Sequence, residues 1–170
     1  MGRRIQDVCV RIDIGGTKSA VVLANIEDTQ VSFLGRYERK TVPDWKKVLN
    51  ELEENGRKIA KEHGISIGSN EGVERIGISC GGPLSSDRRQ ILSPPNLPGW
   101  DRVPVIDYLE KKWGFQQRLE MMQTQGIAEW RFGAGQGCRS MIFLTFGTGF
   151  GSWPYFRRQI ISGSIWSGRR

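Results

Sequence analysis

The chain has 170 residues, 38% of them hydrophobic and 25% charged, which suits one ordinary domain or slightly more and excludes bulk disorder. No apolar run approaches the ~18 residues of a membrane helix, and Met1 to Val10 lacks the apolar core of a secretory signal, so a cytoplasmic protein with no membrane partner is expected. The 25 Lys+Arg against 18 Asp+Glu give +7, but without Arg157, Arg158, Arg169 and Arg170 the remaining 21 basic residues face 18 acids, a net of +3, so nucleic acid is not the expected partner.

Val8 to Ile14 alternates and is β-branched, which predicts a strand. It runs into Gly15-Gly16-Thr17-Lys18, and Ser19 to Asn25 and Val31 to Tyr37 predict two further strands. From Asp44 to His63 the apolar residues Trp45, Val48, Leu49, Leu52, Ile59 and Ala60 fall on one helical face, with Asp44 as N-cap and Gly64 as the stop. His63, the only histidine, belongs at that helix end, where its charge favours the dipole. Glu74 to Cys80 predicts a buried strand ending at Gly81-Gly82-Pro83. Pro94 to Trp100 must be a loop, because three prolines and a glycine forbid regular pairing. Asp101 and Asp107 flank that loop and the next helix, in capping or solvent-facing roles. Val105 to Trp113 predicts a helix, Phe115 to Glu120 a strand, and Ile127 to Phe132 a helix end broken by Gly133 to Gly137. Ser140 to Phe146 predicts a strand entering Gly147-Thr148-Gly149-Phe150-Gly151. Cys9, Cys80 and Cys138 are odd in number and lack metal-ligand spacing, so they read as small buried thiols in a reducing compartment. Strands alternating with helices predict an α/β fold.

Two glycine turns carry the chemistry. Glycines let a backbone turn tightly and bring N–H groups close to an anion. After the first strand, Gly15, Gly16 and Thr17 can cradle phosphate, Lys18 adds charge, and Asp13 can hold Mg²⁺ directly or through water. A plain hairpin turn is the alternative for this motif alone. Gly147 to Gly151 repeats the arrangement after another strand, which suits a nucleotide gripped from two sides. Neither turn has the spacing of a P-loop or of a dinucleotide fingerprint.

Five segments resemble, in order, the ROK family of repressors, uncharacterised reading frames and sugar kinases, within the actin-like ATPases. They are Ile12 to Lys18, Ile76 to Pro83, Ser93 to Trp100, Ala128 to Gly135 and Leu144 to Gly151. The resemblance implies an α/β actin-like ATPase (ribonuclease H-like) N-terminal lobe at residues 1–118 and the incomplete start of a second lobe at 119–151. An Arg/Trp-rich tail follows at 152–170. Family members are roughly twice this length, so the chain reads as truncated. The implied activity is transfer of the γ-phosphate of ATP to a hexose hydroxyl, with Mg²⁺. Gly15, Gly16, Thr17, Gly147, Thr148 and Gly149 would contact ATP phosphates, beside Asp13 and Lys18. Gly82 and Asn96 fall where the family contacts the sugar. ATP and a small sugar are the implied partners, and a homodimer is common in the family. The family's zinc site has no counterpart here, and Cys80 and Cys138 do not replace it. Two other readings are a sugar-sensing regulator of the same family and a non-catalytic remnant. Only about ten residues precede the first strand, so the regulator, which carries a helix-turn-helix ahead of that turn, is the less expected reading. Glucose, N-acetylmannosamine, N-acetylglucosamine, fructose and allose all stay open as the sugar.

One departure matters. The family's catalytic Asp lies in a Glu-Asn-Asp-Ala-Asn element, whose position here falls at Met121 or Met122. Methionine accepts no proton, so the chain as written is expected to be inactive. Back-translation explains the loss: Glu-Met-Met-Gln is GAR ATG ATG CAR, and one inserted A gives GAR AAT GAT GCA, Glu-Asn-Asp-Ala. Residues from Trp153 onward also admit codons that, shifted by one base, restore the family's sequence. Residues 121–126 and 152–170 therefore read as translated out of frame.

Overall fold

The computed structural model describes residues 7–27, 30–67, 73, 75–114, 118–121, 123–146, 150–156 and 159–160. The chain divides into two compact units, Met1–Met121 and Met122–Arg170. The first holds β1 (Asp7–Ile14), β2 (Lys18–Glu27), β3 (Gln30–Lys40), α1 (Trp45–Glu62), β4 (Arg75–Cys80), α2 (Val105–Trp113) and β5 (Arg118–Met121). Its five strands run in the order β3-β2-β1-β4-β5. β1, β2 and β3 form an antiparallel meander, whereas β4 pairs parallel to β1 and β5 parallel to β4.

The alternation in the sequence decides which side of the sheet is buried. Val10, Ile12 and Ile14 of β1, Val21 and Leu23 of β2, and Ile76 and Ile78 of β4 join one core with Val48, Leu49 and Leu52 of α1 and Ile106 and Leu109 of α2. Each fully buried aliphatic side chain contributes about 1.5–3 kcal/mol of transfer free energy. The helix α1 starts where expected: the Asp44 carboxylate accepts from the Lys47 amide at 3.1 Å, satisfying a donor that the first turn leaves open. It stops at His63, and Gly64 follows with φ +69°. The structural role expected for His63 is borne out, since its Nε2 lies 2.8 Å from the Leu34 carbonyl. Asp101 accepts from the Ser93 hydroxyl and Asp107 from the Arg89 guanidinium, so both serve local structure.

The second unit holds α3 (Gln123–Phe132), β6 (Ser140–Phe146), β7 (Phe150–Phe156) and β8 (Gln159–Ile160), the strands in the antiparallel order β6-β7-β8. Its core is small: Trp130 of α3, Trp153 and Tyr155 of β7, with Met141 and Phe143 packed against them. Trp130 Nε1 donates to the Cys138 carbonyl at 2.8 Å. One expectation about the thiols needs correction. Cys80 is buried and Cys9 half-buried, but Cys138 is exposed, because it stands in the turn that leads into β6 and only its carbonyl faces the tryptophan. Part of the tail from residue 152 is regular structure, since Ser152 to Phe156 continue β7 in register with β6.

Candidate functional site

The parallel strands β1, β4 and β5 end in one row. Ile14 is in register with Cys80, and Cys80 with Met121; one row earlier, Asp13, Ser79 and Glu120 align. Open α/β sheets bind ligands outside the carboxyl ends of their strands, where the leaving loops converge. Here those loops are Gly15-Gly16-Thr17 after β1 and Gly81-Gly82-Pro83 after β4.

The first glycine turn is a hairpin closed by the Gly15 amide, which donates to the Lys18 carbonyl at 3.0 Å. Thr41, just past β3, fixes its peptide planes. The Thr41 hydroxyl donates to the Gly15 carbonyl at 2.7 Å, and the Thr41 amide donates to the Thr17 carbonyl at 2.9 Å. A trans peptide holds C=O and the following N–H antiparallel. With both carbonyls drawn to Thr41, the Gly16 and Lys18 N–H groups are turned away from it. Thr17 is exposed. The Lys18 Nζ lies 2.7 Å from Glu38 Oε1 on β3. That hydrogen bond holds the Glu38 carboxyl below the usual carboxylate range.

The proline loop is pinned beside this hairpin. Trp100 is fully buried and its Nε1 donates to the Val42 carbonyl at 3.0 Å. Gly99 has φ +82°, and a Cβ there would lie 2.7 Å from the Pro43 carbonyl oxygen. Only glycine fits both the conformation and the approach. The exposed Asn96 is thereby brought against the hairpin: a Cβ on Gly16 would lie 2.6 Å from the Asn96 carbonyl oxygen and 2.8 Å from its Cβ. Gly82, buried and at φ +71°, follows β4 at the same sheet end.

Asp13 is half-buried on the other side of the hairpin base. The Ser79 hydroxyl donates to Asp13 Oδ1 at 2.5 Å, and an Arg11 guanidinium nitrogen lies 3.4 Å from that hydroxyl. A guanidinium, a hydroxyl and a carboxylate thus form a chain that keeps Asp13 oriented. Beside it, burial pushes the Cys80 thiol up to about 11, against the pull of the Gly82 and Gly81 amides. Among the described residues no group of three or more His, Cys, Asp or Glu side chains comes together. One oriented carboxylate fits Mg²⁺, which binds through one or two carboxylates, phosphate oxygens and retained water.

The structure therefore brings Asp13, Gly15, Gly16, Thr17 and Asn96 together, with Gly82 on the neighbouring strand end and Lys18 at the hairpin, ion-paired with Glu38. Met121 closes β5. Met122, Gly147, Thr148 and Gly149 lie outside the described residues. Sequence reasoning missed Thr41 and Ser79. Ser79 left a signal, being a polar residue in a strand of buried apolar ones. Thr41 left none, because only the folded register of β2 on β3 carries it to the hairpin.

The model of the ROK family matches residues 9–168. A glucokinase of Thermotoga maritima is 30% identical over 91% of this chain and 46% of its own length. The crystal structure of a ROK family glucokinase from Streptomyces griseus in complex with glucose and AMPPNP aligns at TM-score 0.71 and 28% identity. The alignment covers 92% of this chain and 46% of that one. A ROK hexokinase from Thermus thermophilus aligns at TM-score 0.70 and 28% identity, over 92% and 49%. The chain spans about half the length of these relatives or less.

Proposed function

The chain belongs to the ROK family and has its actin-like α/β fold, and from that premise we propose that it carries the ATP- and sugar-binding face of an ATP-dependent hexose kinase. In this reading the hairpin amides and the Thr17 hydroxyl meet phosphate oxygens, and Asp13 holds Mg²⁺, which would neutralise charge on the transferred group. Gly147, Thr148 and Gly149 supply further phosphate contacts, and Gly82 and Asn96 meet the sugar. Lys18, already paired with Glu38, adds general positive charge. The observation that carries the reading is the contact of Gly16 with Asn96. It sets a residue assigned to ATP against a residue assigned to the sugar, as direct phosphoryl transfer between them requires.

The proton acceptor is the missing part. The base's position falls at Met121 or Met122, neither of which accepts a proton, so in this reading the chain as written binds without turnover. Titration calorimetry with AMPPNP, Mg²⁺ and each hexose, beside an ATP-consumption assay, tests this. The expected result is binding by this chain and turnover only by the product of the frame-restored gene, in which the Glu-Asn-Asp-Ala-Asn element returns. Absence of nucleotide binding in both forms would overturn the reading. Resequencing the locus tests the frame explanation: an unbroken read reproducing Met121-Met122 and the Arg-rich tail leaves only the version in which the gene itself is damaged.

A further inference from the structure

We infer that Thr41 is a positioning residue for phosphate recognition, setting the direction of the hairpin amides that meet the nucleotide. This rests on the kinase reading for the identity of the anion, but its geometry is independent of that reading.

Thr41 touches the hairpin three times. Its hydroxyl donates to the Gly15 carbonyl at 2.7 Å and lies 2.7 Å from Ser19 Oγ, and its amide donates to the Thr17 carbonyl at 2.9 Å. A hydroxyl has one proton and two lone pairs. Since the Thr41 proton goes to Gly15, the shared bond with Ser19 is donated by Ser19. Ser19 is almost fully buried, so this assignment satisfies a polar group that would otherwise be costly to bury. Thr41 Oγ1 is thereby held with its proton aimed at one carbonyl.

The consequence is a choice between two peptide orientations. A glycine-glycine turn has little intrinsic preference for one peptide plane over its flipped alternative. If the Gly15–Gly16 peptide flips, a carbonyl oxygen replaces an N–H on the face offered to an anion, and attraction becomes repulsion. The Thr41 hydroxyl rewards only the orientation that sends the Gly16 N–H away from Thr41. Its amide does the same for Lys18 through the Thr17 carbonyl. The side of the turn opposite Thr41 is therefore presented as donors before any ligand arrives, which removes an ordering cost from binding. The residue sits outside the glycine motif by more than twenty positions and need not touch phosphate.

The test compares Thr41→Val, which keeps the shape and removes the hydroxyl, with Thr41→Ser, which keeps it. Two readouts are needed. Amide NMR shifts and hydrogen exchange of Gly16 and Lys18 in ligand-free protein report hairpin orientation; AMPPNP titration with Mg²⁺ reports recognition. Thr41→Val should move the Gly16 amide, leave the Lys18 amide as an internal reference because the backbone bond from Thr41 to the Thr17 carbonyl persists, and weaken AMPPNP binding about tenfold, the scale of one hydrogen bond, while Thr41→Ser stays within about twofold of wild type. If Thr41→Val does not fold, Ser19→Ala, which removes the donor that orients Thr41 Oγ1, should give the same changes in smaller measure. An unmoved Gly16 amide, or a moved Gly16 amide with wild-type affinity, would overturn the inference. Should the wild-type chain bind no AMPPNP, the kinase reading fails separately. Thr41 is then judged on the Gly16 amide alone: Thr41→Val must move it and Thr41→Ser must not.

Discussion

The two units solve the problem of burying a sheet to very different extents. In Met1–Met121 two amphipathic helices cover one face of a five-stranded sheet, and the largest core residues, Trp100 and Trp113, are about 1% exposed. In Met122–Arg170 one short helix supports a three-stranded sheet through Trp130, Trp153 and Tyr155. The opposite face of β6 leaves Ile142 at 67%, Leu144 at 47% and Phe146 at 79% exposure. The same alternation rule built both sheets, but the second has nothing among the described residues to lay over its outer apolar side. A strand pattern specifies a face to be buried without supplying what buries it.

This contrast can be broken most severely at Trp100. Trp100→Ala removes a fully buried aromatic and its bond to Val42, and should cost about 3–5 kcal/mol. Urea unfolding followed by hydrogen exchange should show the loss in β1, β2 and β4, with β6 and β7 little affected. A loss spread evenly over both units would mean they fold as one cooperative body. A smaller effect sharpens the other side. Ile142→Ser with Phe146→Ser removes exposed apolar surface, so stability should stay within about 0.5 kcal/mol while light scattering at high concentration falls. Unchanged scattering would show that this face does not drive association.

The smallest expected effect lies at the hairpin's own ion pair. Glu38, hydrogen-bonded to Lys18, has its folded pKa depressed, so the unfolded chain binds more protons in that window. The contribution is present at neutral pH and is lost as pH falls through the depressed folded value. The melting-temperature gap between wild type and Glu38→Gln should be slight at pH 7, in keeping with an exposed pair, and should close in acid. A gap that widens in acid would assign Glu38 a different partner.

Much of the first unit was legible because its signals are local. Capping by Asp44, the α1 stripe, the stop at Gly64 and the span of α2 depend on residues within one or two turns. The phosphate hairpin and the proline loop could each be named from their glycines and prolines. Their contact could not, because Gly16 and Asn96 are eighty positions apart and only the assembled sheet end joins them. Thr41 escaped for the same reason. In the second unit β7 went unread: residues 152–170 read as an out-of-frame Arg/Trp-rich tail, whereas Ser152 to Phe156 pair with β6 and bury Trp153 and Tyr155, a partnership no local signal announces.

The stretch from Thr41 to Asp44 shows what such non-local joins demand. Thr41 grips the hairpin, Val42 takes the Trp100 indole, Pro43 abuts Gly99, and Asp44 caps α1. Every residue of this connector is committed to a different neighbour, so it has no slack. Side chains in it are open to exchange wherever the contact is made by backbone, as at Val42. Its residue count is not, because a single insertion would slide each join past its mate. Spacing between the two loops is thus set by a ruler four residues long.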